Sequence, residues 1–139
     1  MNDTVSLKPP VLFWVIAVVS LLWNAMGAAV YSLTMMRHPL VVDGAEPAMV
    51  AAIDASPAWS NAAWALGVWG ALAGSVLLLA RRRLAVTAFA LSLLGLIVVG
   101  SYEFASGMPV NIPQTAAIWL IAIFLLWYSR AKAKAGVLS

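Results

Sequence analysis

Four long apolar runs, separated by short polar or proline-bearing segments, account for most of the chain. They extend approximately from Val11 to Met36, Trp59 to Ala80, Leu84 to Ala105 and Gln114 to Ser129. A helix needs about 20 apolar residues to cross a hydrocarbon layer about 30 Å thick, and each run lies near that length. Isolated backbone polar groups cannot face lipid, and the ten-residue alternation of a membrane barrel is absent, so helices are the expected spanning form. The pattern predicts an all-α, integral membrane four-helix bundle forming one domain over residues 1–139.

The runs are punctuated where helices should begin. Ser56 and Pro57 read as an N-cap and first-turn pair, and Asn111 to Pro113 serve the fourth run in the same way. About twenty residues connect the first two runs, and within them Pro47 to Asp54 read as one or two turns of helix lying along the membrane surface.

Composition removes water as the solvent. Of 139 residues, 64% are hydrophobic and 9% charged, against about half and about a quarter in a soluble domain. There is no cysteine, which excludes a disulfide framework, thiolate metal ligation and a cysteine nucleophile. The first run starts after Pro10, is too long for the core of a secretory signal and lacks a small-residue cleavage site, so it is expected to be retained.

Charge then orients the spans. The net charge is +3, but the basic residues sit in short runs beside apolar segments, an orientation signal and not a nucleic-acid footprint. Lys8, Arg81, Arg82, Arg83, Arg130, Lys132 and Lys134 fall on one side, leaving Arg37 opposite. Basic loops stay cytoplasmic, so both termini and the loop between spans two and three are expected there. Asp43, Glu46, Asp54 and Glu103 then lie at or near the outer face. The three arginines after the second span are read entirely as topology determinants that also meet anionic lipid headgroups. Trp14, Trp59, Trp127 and Tyr128 fall near span ends and read as interfacial rings.

Candidate chemistry concentrates on the first span. At about 100° per residue, Ser20, Asn24, Gly27, Tyr31 and His38 share a stripe if the helix continues far enough to include His38. Asn24 falls near the bilayer midplane, where its amide needs a partner; interhelical contact is the preferred reading and a polar solute path the alternative. On the second span Gly67, Gly70, Ala71 and Gly74 form a smooth packing face suited to intrachain contact or, as the alternative, to a homodimer. Glu103 shares a side of the third span with Ser92, Gly95 and Val99. Arg37 and His38 are its conceivable partners at the outer rim. No metal-ligand spacing, phosphate loop, cofactor motif or nucleophile with a neighbouring base is present, so no metal, cofactor or enzymatic activity is expected.

Leu22-Trp23-Asn24-Ala25-Met26-Gly27, Pro57-Ala58-Trp59, the Gly67 to Gly74 segment running into Arg81-Arg82-Arg83, and Leu126-Trp127-Tyr128-Ser129 together resemble a family of small bacterial four-helix inner-membrane proteins. Members are mostly uncharacterised and some are labelled sugar transporters. The resemblance covers nearly the whole chain and implies a multi-pass protein of the bacterial inner membrane. The leading expectation is handling of a small solute, alone or as a homo-oligomer, along a path touching Asn24, Tyr31 and Glu103. The alternative is an accessory subunit of a larger membrane complex, docking through the smooth face of the second span or through Pro47 to Asp54. A small multidrug transporter is excluded, because its glutamate lies in the first helix and this first span has no acidic residue.

Overall fold

A computed structural model describes residues 8–139. The described residues are helical and contain no strand. The chain order is α1 (Val11–Met35), α2 (Pro39–Val42), α3 (Pro47–Asp54), α4 (Ala58–Leu79), α5 (Leu84–Ser106) and α6 (Ile112–Lys134). Helices α1, α4, α5 and α6 have 25, 22, 23 and 23 residues and are long and apolar enough to cross a membrane. Their outward faces carry large exposed apolar side chains such as Leu22, Trp69, Leu94 and Leu120. A surface of this kind is suited to lipid.

The boundaries differ from the sequence expectation in three places. Helix α6 begins two residues earlier than Gln114 and continues five beyond Ser129, because the Arg130 to Lys134 segment extends the helix past its apolar run. At α4 the N-cap is Pro57 and not Ser56; the Ser56 hydroxyl donates instead to the Ala52 carbonyl at 2.9 Å. Helix α1 stops at Met35, so His38 leaves the Asn24 stripe and becomes the N-cap of α2, its Nδ1 accepting from the Leu40 N–H at 3.2 Å. Asn111 does cap α6, accepting from the Gln114 N–H at 3.1 Å.

The four long helices end alike. Arg37, Arg81, Gly107 and Gly136 each adopt a left-handed backbone conformation. The following N–H reaches back to the last turn: His38 to Leu33, Arg82 to Leu77, Met108 to Glu103 and Val137 to Lys132, all between 2.8 and 3.1 Å. This closure satisfies carbonyls that lipid would leave unpaired. Arginine costs more than glycine in that conformation.

The starts of α1 and α5 and the ends of α4 and α6 meet in one core of Phe13, Ala17, Leu78, Ala85, Phe89, Leu125 and Tyr128, so the helices run alternately up and down. Phe13 stacks on Tyr128 with ring centroids 6.4 Å apart. Tyr128, expected as an interfacial ring, is therefore a core residue, also stacked on Phe124. Trp14, Trp59 and Trp127 are exposed. Val137 and Leu138 complete the core from below.

That tail is fastened by the arginine loop. Arg83 donates its N–H to Ser139 and Ser139 donates its own to Arg81, both at 2.8 Å. Arg81 Nε donates to Val137 O at 3.0 Å, and Arg83 Nη2 to Ala133 O, a last-turn carbonyl of α6 that also accepts from the Gly136 N–H, at 3.3 Å. Two of the three arginines thus hold the tail to this basic end, a role that their reading as topology determinants alone did not include. Arg82, Arg130 and Lys134 are exposed, and Lys132 sits over the Tyr128 ring, 5.3 Å from its centroid.

Helices α4 and α5 pack most intimately. A methyl group at Gly70 would meet Ser92 at 3.2 Å, and one at Gly74 would meet the Phe89 ring at 2.7 Å. Gly67, Gly70 and Gly74 of the smooth face are thereby occupied by α5 of the same chain, whereas Ala71 turns to α1 and the cavity, and Ser92 Oγ ties α4 to α5 by donating to Gly67 O at 2.6 Å.

Candidate functional site

Because the apolar core fills only the basic end, the opposite half of the bundle is hollow. A cavity of about 600 Å³ lies among the four long helices and beneath the α2–α3 segment. Its floor is Phe89 and Leu125, which also belong to the basic-end core. Its walls include three indoles, Trp23 of α1, Trp64 of α4 and Trp119 of α6. Towards the end remote from Arg81–Arg83 the lining becomes polar, with Asn61, Asn111, Gln114 and Glu103. The volume is that of a small-molecule site.

Asn24 lines the cavity and is buried, with its Nδ2 donating to Ser75 Oγ at 2.6 Å and to Ala71 O at 3.2 Å. The Ser75 hydroxyl in turn donates to Ala71 O at 3.0 Å. This cluster joins α1 to α4 at the cavity wall. Asn24→Leu should therefore lower stability by about 1 kcal/mol, the scale of interhelical hydrogen bonds in membranes. The loss stays small because Ser75 keeps its own acceptor. Reversible unfolding in mixed detergent micelles measures it; a loss above about 3 kcal/mol would mean that Asn24 organises more than this one contact.

The remaining sequence candidates separate. Ser20 is buried and turned back on its own helix, donating to Ala17 O at 2.9 Å. Tyr31 packs edge-on against Trp64 with centroids 4.9 Å apart and is not part of the cavity lining. His38 caps α2, outside the lining. Glu103 is half-buried in the cavity wall. Neither expected partner reaches it: Arg37 forms an ion pair with Asp54 at the rim, and the His38 ring is engaged by Leu40. The hydrogen bond to Asp54 raises the Arg37 guanidinium further above its ordinary value, so Arg37 remains charged and committed to that carboxylate. No side chain among the described residues hydrogen-bonds or ion-pairs with the Glu103 carboxylate. Nor do three His, Asp or Glu side chains gather anywhere among the described residues.

Sequence reasoning missed Asn61, Trp64, Gln114 and Trp119 as cavity residues. The signal was present but faint: Asn61 and Gln114 each stand in the first turns of an apolar helix, with a tryptophan three or five residues further on. The chain matches no protein-family model, no curated protein and no solved structure.

Proposed function

We propose that the chain is a non-enzymatic, multi-pass protein of a bacterial inner membrane that holds a small solute in this cavity, with its basic end in the cytoplasm and the cavity mouth on the other side. The observation that carries the reading is the asymmetry of the interior: an apolar plug at the basic end and a hollow with polar groups at the other. The concentration of Arg81–Arg83, Arg130, Lys132 and Lys134 at the plugged end supports the orientation, and the family resemblance supports the membrane. The interior volume needed by a solute, which a tightly packed four-helix bundle lacks, is available within one chain. An accessory-subunit role through the smooth face of α4 is disfavoured, since α5 covers the glycines of that face.

The absence of cysteine makes the test clean. Ala122 lines the cavity, and Ala17 lies in the plug. In sealed vesicles, Ala122→Cys should react with a membrane-impermeant methanethiosulfonate reagent added on the side away from the basic loops, because only a hydrated thiol ionises and reacts. Ala17→Cys should stay unmodified from either side. An unreactive Ala122→Cys would overturn the proposal.

A further inference from the structure

The chemistry of the cavity wall selects a class of solute. Three charged side chains line it, Arg37, Asp54 and Glu103. Arg37 and Asp54 neutralise each other at the rim. Glu103 is therefore the one acidic group in the lining that no side chain among the described residues pairs, and a cation placed beside it would favour its ionised form. Around it the surface is mainly apolar and aromatic, with Trp23, Trp64 and Trp119 contributed by three different helices. An indole face attracts cations more strongly than any other side-chain ring. A half-buried carboxylate beside low-dielectric walls interacts more strongly with a cation than one fully in water.

From this arrangement we infer that the cavity receives an organic cation, a quaternary or protonated amine with an apolar body, whose charge faces Glu103 and whose body lies against the tryptophans. The inference rests on the solute-binding reading above and narrows it. An anion would meet the Glu103 charge with no cation free among the lining side chains to offset it. A sugar, the cargo implied by the family resemblance, would need a dense ring of hydrogen-bonding groups to replace its hydration. The wall offers few: the Asn24 amide N–H groups are already donated to Ser75 and Ala71, leaving chiefly Asn61, Gln114, Thr115 and the Asn111 amide N–H groups, gathered at one end.

The test uses the full chain in lipid vesicles, with Ala122→Cys as the reporter and an uncharged maleimide as the modifying reagent. Benzyltrimethylammonium, its uncharged isostere with carbon in place of nitrogen, and glucose are compared for protection of the thiol. Saturable protection by the ammonium compound alone is expected. Glu103→Gln should weaken it about tenfold or more, the scale of losing one charge-assisted contact, and Glu103→Asp should retain it. Glutamine conserves shape, and the carboxylate has no side-chain partner to lose, so the variant should fold; its helicity by circular dichroism and its elution as a single species confirm that. Equal protection by the uncharged isostere, protection by glucose, no protection by any probe, or indifference to Glu103→Gln would each overturn the cation assignment while the hydrated cavity stands. A folded Ala122→Cys protein that the maleimide never modifies would remove the cavity reading as well.

Discussion

Gly95→Ala is expected to destabilise this protein by about 2–3 kcal/mol, although alanine is the better helix former. A methyl group at position 95 would lie 2.6 Å from the Ala63 carbonyl oxygen and 2.8 Å from the Gly67 nitrogen. Both are backbone atoms, so no rotamer change relieves the clash and α4 must move away from α5. Separation would weaken the Ser92 to Gly67 hydrogen bond and the contacts on either side of it, which in lipid are most of what holds two helices together. Overpacking of this kind costs about 1–3 kcal/mol or more, against a propensity gain of up to about 1 kcal/mol. Gly67→Ala is the internal control: its methyl group would approach neighbouring atoms no closer than 3.7 Å, and its effect should lie between neutral and a stabilisation of about 1 kcal/mol. Unfolding followed by tryptophan fluorescence in mixed micelles decides the matter. Equal stability of the Gly95 and Gly67 variants would show that the helices stand further apart than the glycine contacts require.

The second large effect is expected from Phe13→Ala. Phe13 is 0% exposed, stacked on Tyr128 and met edge-on by Trp14 at 5.1 Å. In a soluble core the truncation would cost about 3–5 kcal/mol. Between lipid-embedded helices the transfer from water contributes little, because the separated helices remain in an apolar medium. The remaining cost is the void: about 100 Å³ at about 24 cal/mol per Å³, or about 2–3 kcal/mol. Phe13→Leu should recover most of it. The same residue belongs to the plug beneath the cavity, so its removal has a second readout. Phe13→Ala should let the impermeant thiol reagent reach Ala122→Cys from the basic side, where the parent protein blocks it. A destabilised variant with an unchanged one-sided reaction would place the seal elsewhere in the core, at Leu125 or Phe89.

The hydropathy pattern alone determined that there are four long helices, nearly where each begins, and that a short helix follows the first of them. That success has a simple cause: in lipid a helix must satisfy its own backbone, so composition over about 20 residues dictates the element with little help from its neighbours. The charge pattern likewise placed Arg81–Arg83 and Arg130–Lys134 at one end. Asn24 was recognisable as a residue that must find a partner, because a buried amide has no other option. The identity of that partner was not. Ser75 and Ala71 lie 51 and 47 residues further along the chain, and helix packing alone chose them.

Tertiary structure also decided the fate of groups whose surroundings the sequence leaves open. Tyr128 entered the core because Phe13 arrives beside it, although its position near a span end suited an interfacial ring equally well. Arg37 and Arg81 terminate helices in a left-handed conformation that composition assigns to glycine. Arg37 turned to Asp54, leaving Glu103 without the expected partner, because α1 ended at Met35 and the chain folded back over the bundle. The cavity itself depends on how far apart four helices stand at one end. Helix existence is a local property of each segment, written in its own residues, whereas the space between helices is set by the closest contacts on every side, here by Gly95 against Gly67 and by Phe13 against Tyr128.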